Sequence, residues 1–120
     1  MATIEQFEDI DSWKKARNLN KEIYKVTSKN RFENDFSLRD QLRRAANSIM
    51  LNIAEGFARN SDQEFIKFLG YAHGSAAEVQ SALYIAKDQN YLSGDEFSEL
   101  HDQYDELSRM INGFMNYLTD

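Results

Sequence analysis

From Gln41 to Leu83 the chain reads QLRRAANSIMLNIAEGFARNSDQEFIKFLGYAHGSAAEVQSAL, and its apolar positions recur in steps of three and four. That spacing places them on one face of a helix, because 3.6 residues make one turn. Four such segments are predicted. The first helix begins after Asp9 or Asp11, either of which can cap free backbone N–H groups, and runs to about Lys29 with Trp13, Ala16, Leu19, Ile23 and Val26 as its apolar stripe. Asn30 to Phe36 reads as a polar connection. The second helix opens at Ser37, with Asp40 three residues on as a weaker capping box, and continues to about Arg59. Its stripe is Leu42, Ala45, Ile49, Ile53 and Phe57, flanked by Ala46 and Met50.

The third helix follows a Ser61/Glu64 capping box and carries Phe65, Phe68, Leu69, Ala72, Ala76, Val79 and Leu83. Asn90 marks its end, since asparagine tolerates the left-handed backbone of a C-terminal cap. Ser93 and Glu96 form another capping box and open the fourth helix, with Phe97, Leu100, Tyr104, Leu107, Ile111, Phe114 and Leu118 on its apolar face. Short links between long helices predict an all-α, antiparallel up-down four-helix bundle.

Composition agrees with this pattern and narrows it. The 120 residues include no proline and only five glycines, so the usual helix breakers are scarce. One domain spanning residues 1–120 is expected, with no repeat or boundary to divide it. Cysteine is absent, which excludes disulfides, thiolate metal sites and cysteine nucleophiles. No apolar run approaches the ~20 residues that span a bilayer, and the first residues lack the apolar core of a signal peptide. A cytoplasmic protein without a membrane partner is the expectation.

The formal charge of −6 argues against a general nucleic-acid binder, but its distribution is uneven. Residues 10–31 hold seven basic residues against two acidic ones, whereas residues 91–120 hold seven acidic residues against Arg109 alone. Lys14, Arg17, Lys21, Lys25 and Lys29 recur at helical spacing, so the basic excess forms a face. Lys14, Arg17, Lys21 and Lys25 are candidates for contact with nucleic-acid phosphates. Charge complementarity with the acidic fourth helix inside the same bundle is the competing explanation.

Two further stripes stand apart from the core. Gly70, Gly74, Ala77 and Ser81 line up on the third helix, more than ~90° from its apolar stripe at about 100° per residue. Helix-interior glycine costs roughly 1 kcal/mol relative to alanine, so two in one stripe suggest close approach of another helix and hence an oligomer interface. A bulky neighbour within the bundle, or plain solvent, would account for the same pattern. Arg44, Ser48, Asn52 and Glu55 form a polar stripe on the second helix, matched by Tyr71, Ser75, Glu78 and Ala82 on the third. Arg44 is expected to pair with Glu78 or Glu55 in a network that fixes helix register or joins subunits, with a solvated face as the alternative.

Catalytic chemistry has no such signature. Neither His73 nor His101 follows a glutamate three residues earlier, as the di-iron bundle motif requires. No phosphate-binding glycine loop, dinucleotide turn or HExxH motif occurs. The expectation is no catalytic site, no metal, no cofactor and no small-molecule substrate. The aromatic residues fall largely at core spacing, which favours packing over base stacking.

Together the segments FEDIDSWKKA, NIAEG with its following Arg-x-Ser, the EF-x-x-FL-x-x-A-x-GS run and NYLSGDEFSEL resemble the bacterial four-helix-bundle proteins encoded within intervening sequences of 23S rRNA genes. The resemblance covers nearly the whole chain. It implies a bundle assembled into a ring, as a homopentamer, with Arg44, Ser48, Asn52, Glu55, Gly56, Ser61, Glu64, Gly74, Ser75 and Glu78 as structural and assembly positions. Asn90 stands where relatives often have glycine, and either residue serves as a cap. A related branch supplies accessory proteins to reverse transcriptases of diversity-generating retroelements, and its members are basic where this chain is acidic. Two functions follow as expectations: a non-enzymatic homo-oligomeric scaffold, or an accessory factor that meets RNA or a reverse transcriptase through the basic face.

Overall fold

The computed structural model describes residues 4–119 as a helical rod of 44 × 22 × 19 Å. After one 3-10 turn at Phe7–Asp9 come α1 (Asp11–Thr27), α2 (Asn30–Asn34), α3 (Phe36–Ala58), α4 (Asp62–Asp88) and α5 (Gly94–Thr119). Four long helices run along the rod, and α2 is a five-residue insertion between the first two. Side-chain bonds fix their directions. Asn20 meets Asn47 and Thr27 meets Arg43, which sets α1 antiparallel to α3. Lys15 meets Gln103 and Lys29 meets Glu96, which sets α1 antiparallel to α5. The order around the bundle is therefore α1, α3, α4, α5, closing back on α1. The expected up-down arrangement is present, with all the described secondary structure helical.

Helix ends show where local signals suffice. Ser93 N–H donates to Glu96 Oε1 at 2.9 Å and Glu96 N–H donates to Ser93 Oγ at 3.0 Å, a complete capping box. Ser61 Oγ accepts from Glu64 N–H at 3.3 Å. Asn90 has φ 62°, Tyr91 N–H donates to Ala86 O and Asn90 N–H donates to Lys87 O, so α4 ends in a Schellman motif on an asparagine.

Three local expectations are corrected. Asp11 is the first residue of α1, preceded by Ile10, and no side chain caps that end. The segment expected as a polar connection forms α2, because Phe32 is 1% exposed and stacks on Tyr91 with ring centroids 5.0 Å apart. Ser37 does not begin the next helix. Asp35 caps α3 instead, its Oδ1 accepting from Leu38 N–H at 3.1 Å while its Oδ2 accepts from Tyr91 Oη at 3.0 Å. One carboxylate thus caps a helix and ties it to the α4–α5 link. That link holds the Tyr91 phenol above its ordinary pKa, through the hydrogen bond to Asp35 first and then burial.

The core follows the predicted stripes closely. Ile23, Leu42, Ile49, Ile53, Leu69, Val79, Leu83, Leu107 and Ile111 have no exposed surface. Trp13, Phe57, Phe68, Phe114 and Leu118 are half-buried at its margin. α3 and α4 approach closely at Gly56, where an added Cβ would stand 2.8 Å from Phe68 Cβ and 2.9 Å from Phe65 Cδ1. Only a hydrogen fits there. Among the described residues two buried hydroxyls, Ser12 Oγ and Tyr104 Oη, find no partner. Burial pushes the Tyr104 phenol far above the ordinary tyrosine value.

Candidate interaction surfaces

The stripe of Gly70, Gly74, Ala77 and Ser81 lies on the outside of α4, facing away from the core. No helix among the described residues approaches it closely at Gly74. A Cβ at Gly74 would meet nothing within 4 Å, and one at Gly70 would make only an ordinary 3.7 Å contact with Met115 Cε. Gly74, Ala77 and Ser81 are exposed. Along the borders of this strip stand Tyr71, Tyr84 and Ile85, which are 50%, 51% and 47% exposed. The bulky neighbour within the bundle, offered above as one explanation, is therefore excluded for Gly74.

The polar stripe divides into two sets. Ser75 Oγ donates to Ser48 Oγ at 2.9 Å, and Asn52 Nδ2 donates to both the Oγ and the carbonyl of Ser48, each at 2.9 Å. These three half-buried side chains set the register of α4 on α3 within one chain. Arg44, Glu55 and Glu78 point outward instead. The pairing expected of Arg44 with Glu55 or Glu78 is not made. Glu55 pairs with Arg59 one turn away at 3.7 Å, a shorter reach along the same helix. Near Arg44 the pattern had no signal for Leu51, which is 68% exposed and sits opposite the core stripe of α3. A lone leucine off the stripe was the available clue.

On α1 the basic residues separate by direction. Lys15 reaches α5, donating to Gln103 Oε1 at 2.6 Å and pairing with Glu106 at 3.3 Å. Lys29 pairs with Glu96 at 3.9 Å. Charge complementarity between the first and last helices is thus present through Lys15, and Lys29, two residues beyond the end of α1, adds a second pair to α5. Lys14, Arg17, Lys21 and Lys25 are all exposed, and no carboxylate among the described residues lies within 4 Å of them. Arg17 lies 5.8 Å from the Trp13 ring centre.

Across the α1/α3 seam two arginines that the pattern did not single out extend this basic character. Arg43 lies over Tyr24 at 4.6 Å and donates to Thr27 Oγ1 and Ser28 Oγ. Arg39 lies over Phe36 at 4.9 Å. Their aromatic partners are supplied by a neighbouring helix or by a residue three positions away, which a search for basic spacing alone passes over. Among the described residues no group of three His, Cys, Asp or Glu side chains could hold a metal ion. None of the described helices is long and apolar enough to cross a membrane.

Comparison with known proteins gives the arrangement a context. A crystal structure of a protein with unknown function from the S23 ribosomal protein family of Bacteroides thetaiotaomicron VPI-5482 superposes with a TM-score of 0.78 at 20% sequence identity. The match covers 87% of this chain and 97% of that one, and at this identity it shows the shared fold. No curated protein matches. Residues 8–113 match the profile of the family described as 23S rRNA-intervening sequence protein. The chain belongs to the 23S rRNA-intervening sequence protein family.

Proposed function

We propose that the protein is a non-enzymatic, cytoplasmic scaffold that self-assembles through the outer faces of α3 and α4. The observation that carries this reading is Gly74: a glycine in mid-helix, costing about 1 kcal/mol against alanine, with no neighbour of its own chain to require it. A helix of a second copy laid along Gly70, Gly74, Ala77 and Ser81 would supply the close approach, with Tyr71, Tyr84, Ile85 and Leu51 as apolar anchors around it. Arg44 and Glu78, without an ion-pair partner among the described residues, would meet opposite charges across the contact. The ring of five copies implied by the family resemblance fits such an interface. Light-scattering mass of the purified chain tests it. A stable mass near five chains that Gly74→Leu lowers, with helical content kept, supports the reading, and a mass unchanged by Gly74→Leu overturns the stripe as the interface.

A second reading rests on the four cations of α1. Lys14, Arg17, Lys21 and Lys25, without carboxylate partners among the described residues, would suit the phosphates of RNA, making the protein an accessory factor to RNA or to a reverse transcriptase. Co-elution of a short structured RNA that is lost at high salt supports it.

A further inference from the structure

We propose that the basic stripe of α1 docks on the acidic stripe of α5 in a second copy of this chain. The proposal rests on the self-assembly reading and adds a second, electrostatic contact to it. Lys14, Arg17, Lys21 and Lys25 occupy the side of α1 opposite buried Leu19 and Ile23, and all four are exposed. Asp95, Glu99, Asp102 and Glu106 occupy the side of α5 opposite buried Leu100 and Ile111, and these too are exposed. Each stripe spans eleven residue steps, so both are about 16 Å long at about 1.5 Å per residue. Charge spacing is therefore matched as well as charge sign.

Among the described residues the stripes are uncompensated at home except at Glu106, which Lys15 meets at 3.3 Å. Within the chain α1 and α5 are joined by Lys15–Glu106 and Lys29–Glu96, pairs that lie along their shared seam. Asp95, Glu99 and Asp102 have no cation within 4 Å among the described residues, just as the four basic side chains have no carboxylate. Successive members of each stripe sit three or four positions apart, where like charges repel. A partner of opposite sign removes that repulsion on both helices at once. Because α1 and α5 are neighbours with their outer faces turned to solvent, the two stripes of one molecule cannot meet each other. They can meet those of another molecule. One copy then offers its α1 to a second and its α5 to a third, a head-to-tail contact that closes into a ring or grows into a filament.

Reversal and restoration of charge test this on the full chain. Light-scattering mass is measured at about 10 mM and about 1 M salt, where the screening length falls from ~30 to ~3 Å. The wild-type assembly is expected to lose at least one chain of mass at high salt. Arg17→Glu with Lys21→Glu, and separately Glu99→Lys with Asp102→Lys, should lower the low-salt mass to the high-salt value. All four substitutions together reverse the middle two charges of each stripe, so every facing pair is again opposite in sign, and should restore it. Circular dichroism confirms that each variant keeps its helices.

A mass indifferent to salt and to charge reversal overturns the proposal, as does a fourfold variant that stays folded without regaining mass. Loss of assembly in Gly74→Leu while the charge variants behave as wild type would retain the α4 interface and reject this one. The converse result would reject α4 and retain the stripes. If Arg17→Glu with Lys21→Glu abolishes co-elution of a short structured RNA but leaves the mass intact, the basic stripe serves nucleic acid and the proposal fails.

Discussion

Gly56 and Gly74 stand on packed neighbours, α3 and α4, yet answer to different surroundings. At Gly56 the two helices approach so closely that a methyl group would overlap Phe65 and Phe68. At Gly74 the same methyl group would meet nothing. The inner seam is specified by contacts already made: Phe57 packs edge-on against Phe65 with ring centroids 6.1 Å apart, and Ser75 donates across the helices to Ser48, which Asn52 also bonds one turn along α3. The outer face is patterned without contacts of its own. Interior glycine thus reports a fit completed in one chain, whereas the exterior glycine of α4 answers to no contact among the described residues.

The largest expected effect lies on the inner side. Gly56→Ala gains about 1 kcal/mol of helix propensity but forces Phe65 and Phe68 aside, and overpacking of this kind costs about 1–3 kcal/mol. A lower urea midpoint at unchanged slope is the expected result. An unchanged or higher midpoint would show that the seam can open, and the contrast between the two glycines would collapse.

A second interior test uses Tyr104, whose hydroxyl is buried without a partner. Tyr104→Phe removes an unsatisfied polar atom while keeping the ring, and stabilisation by about 1 kcal/mol is expected in thermal melts. Its pH dependence has a definite sign. Because the folded phenol ionises far above its unfolded value of about 10, it favours folding below that pH, and stability falls as pH rises beyond it. The wild-type melting temperature should drop above pH 10 more steeply than that of Tyr104→Phe. Equal slopes would place the alkaline loss elsewhere.

On the outer side the effects are smaller and of another kind. Gly74→Ala should stabilise the separate chain by up to about 1 kcal/mol, since the added methyl meets no atom. Measured under conditions that keep the chain monomeric, a destabilised Gly74→Ala would reveal a constraint within the chain itself. Smallest of all, Lys21→Glu with Lys25→Glu should shift the stability of the separate chain by less than about 0.5 kcal/mol, as exposed charges usually do. A larger loss in denaturant titration would mean that these lysines support the bundle.

Much of this was legible in the residues themselves. Core stripes of three-and-four spacing located all four long helices, because burial of one helical face leaves a period that neighbouring residues cannot mask. The Ser93/Glu96 box and the Asn90 cap were readable because both partners of each bond lie within a few residues of one another. Phe32 was missed for the opposite reason: five residues cannot display a helical period, and its burial depends on Tyr91, 59 positions away. Asp35 was passed over as a cap because Ser37, two residues later, is followed at three positions by Asp40 in the spacing of a capping box.

For the surfaces, sequence determined which residues share a face and what charge they bear, since spacing alone fixes direction around a helix. Only the tertiary structure decided which faces were already satisfied. It showed Ser48, Asn52 and Ser75 bonded inside the chain, with Arg44 and Glu78 left outside. It also showed Lys15 and Lys29 committed to α5, while Lys14, Arg17, Lys21 and Lys25 remained free of carboxylates. The physical reason is that a helical period records the angle of a side chain about its own axis. Whether another helix stands at that angle, and how near, is set by the packing of all four.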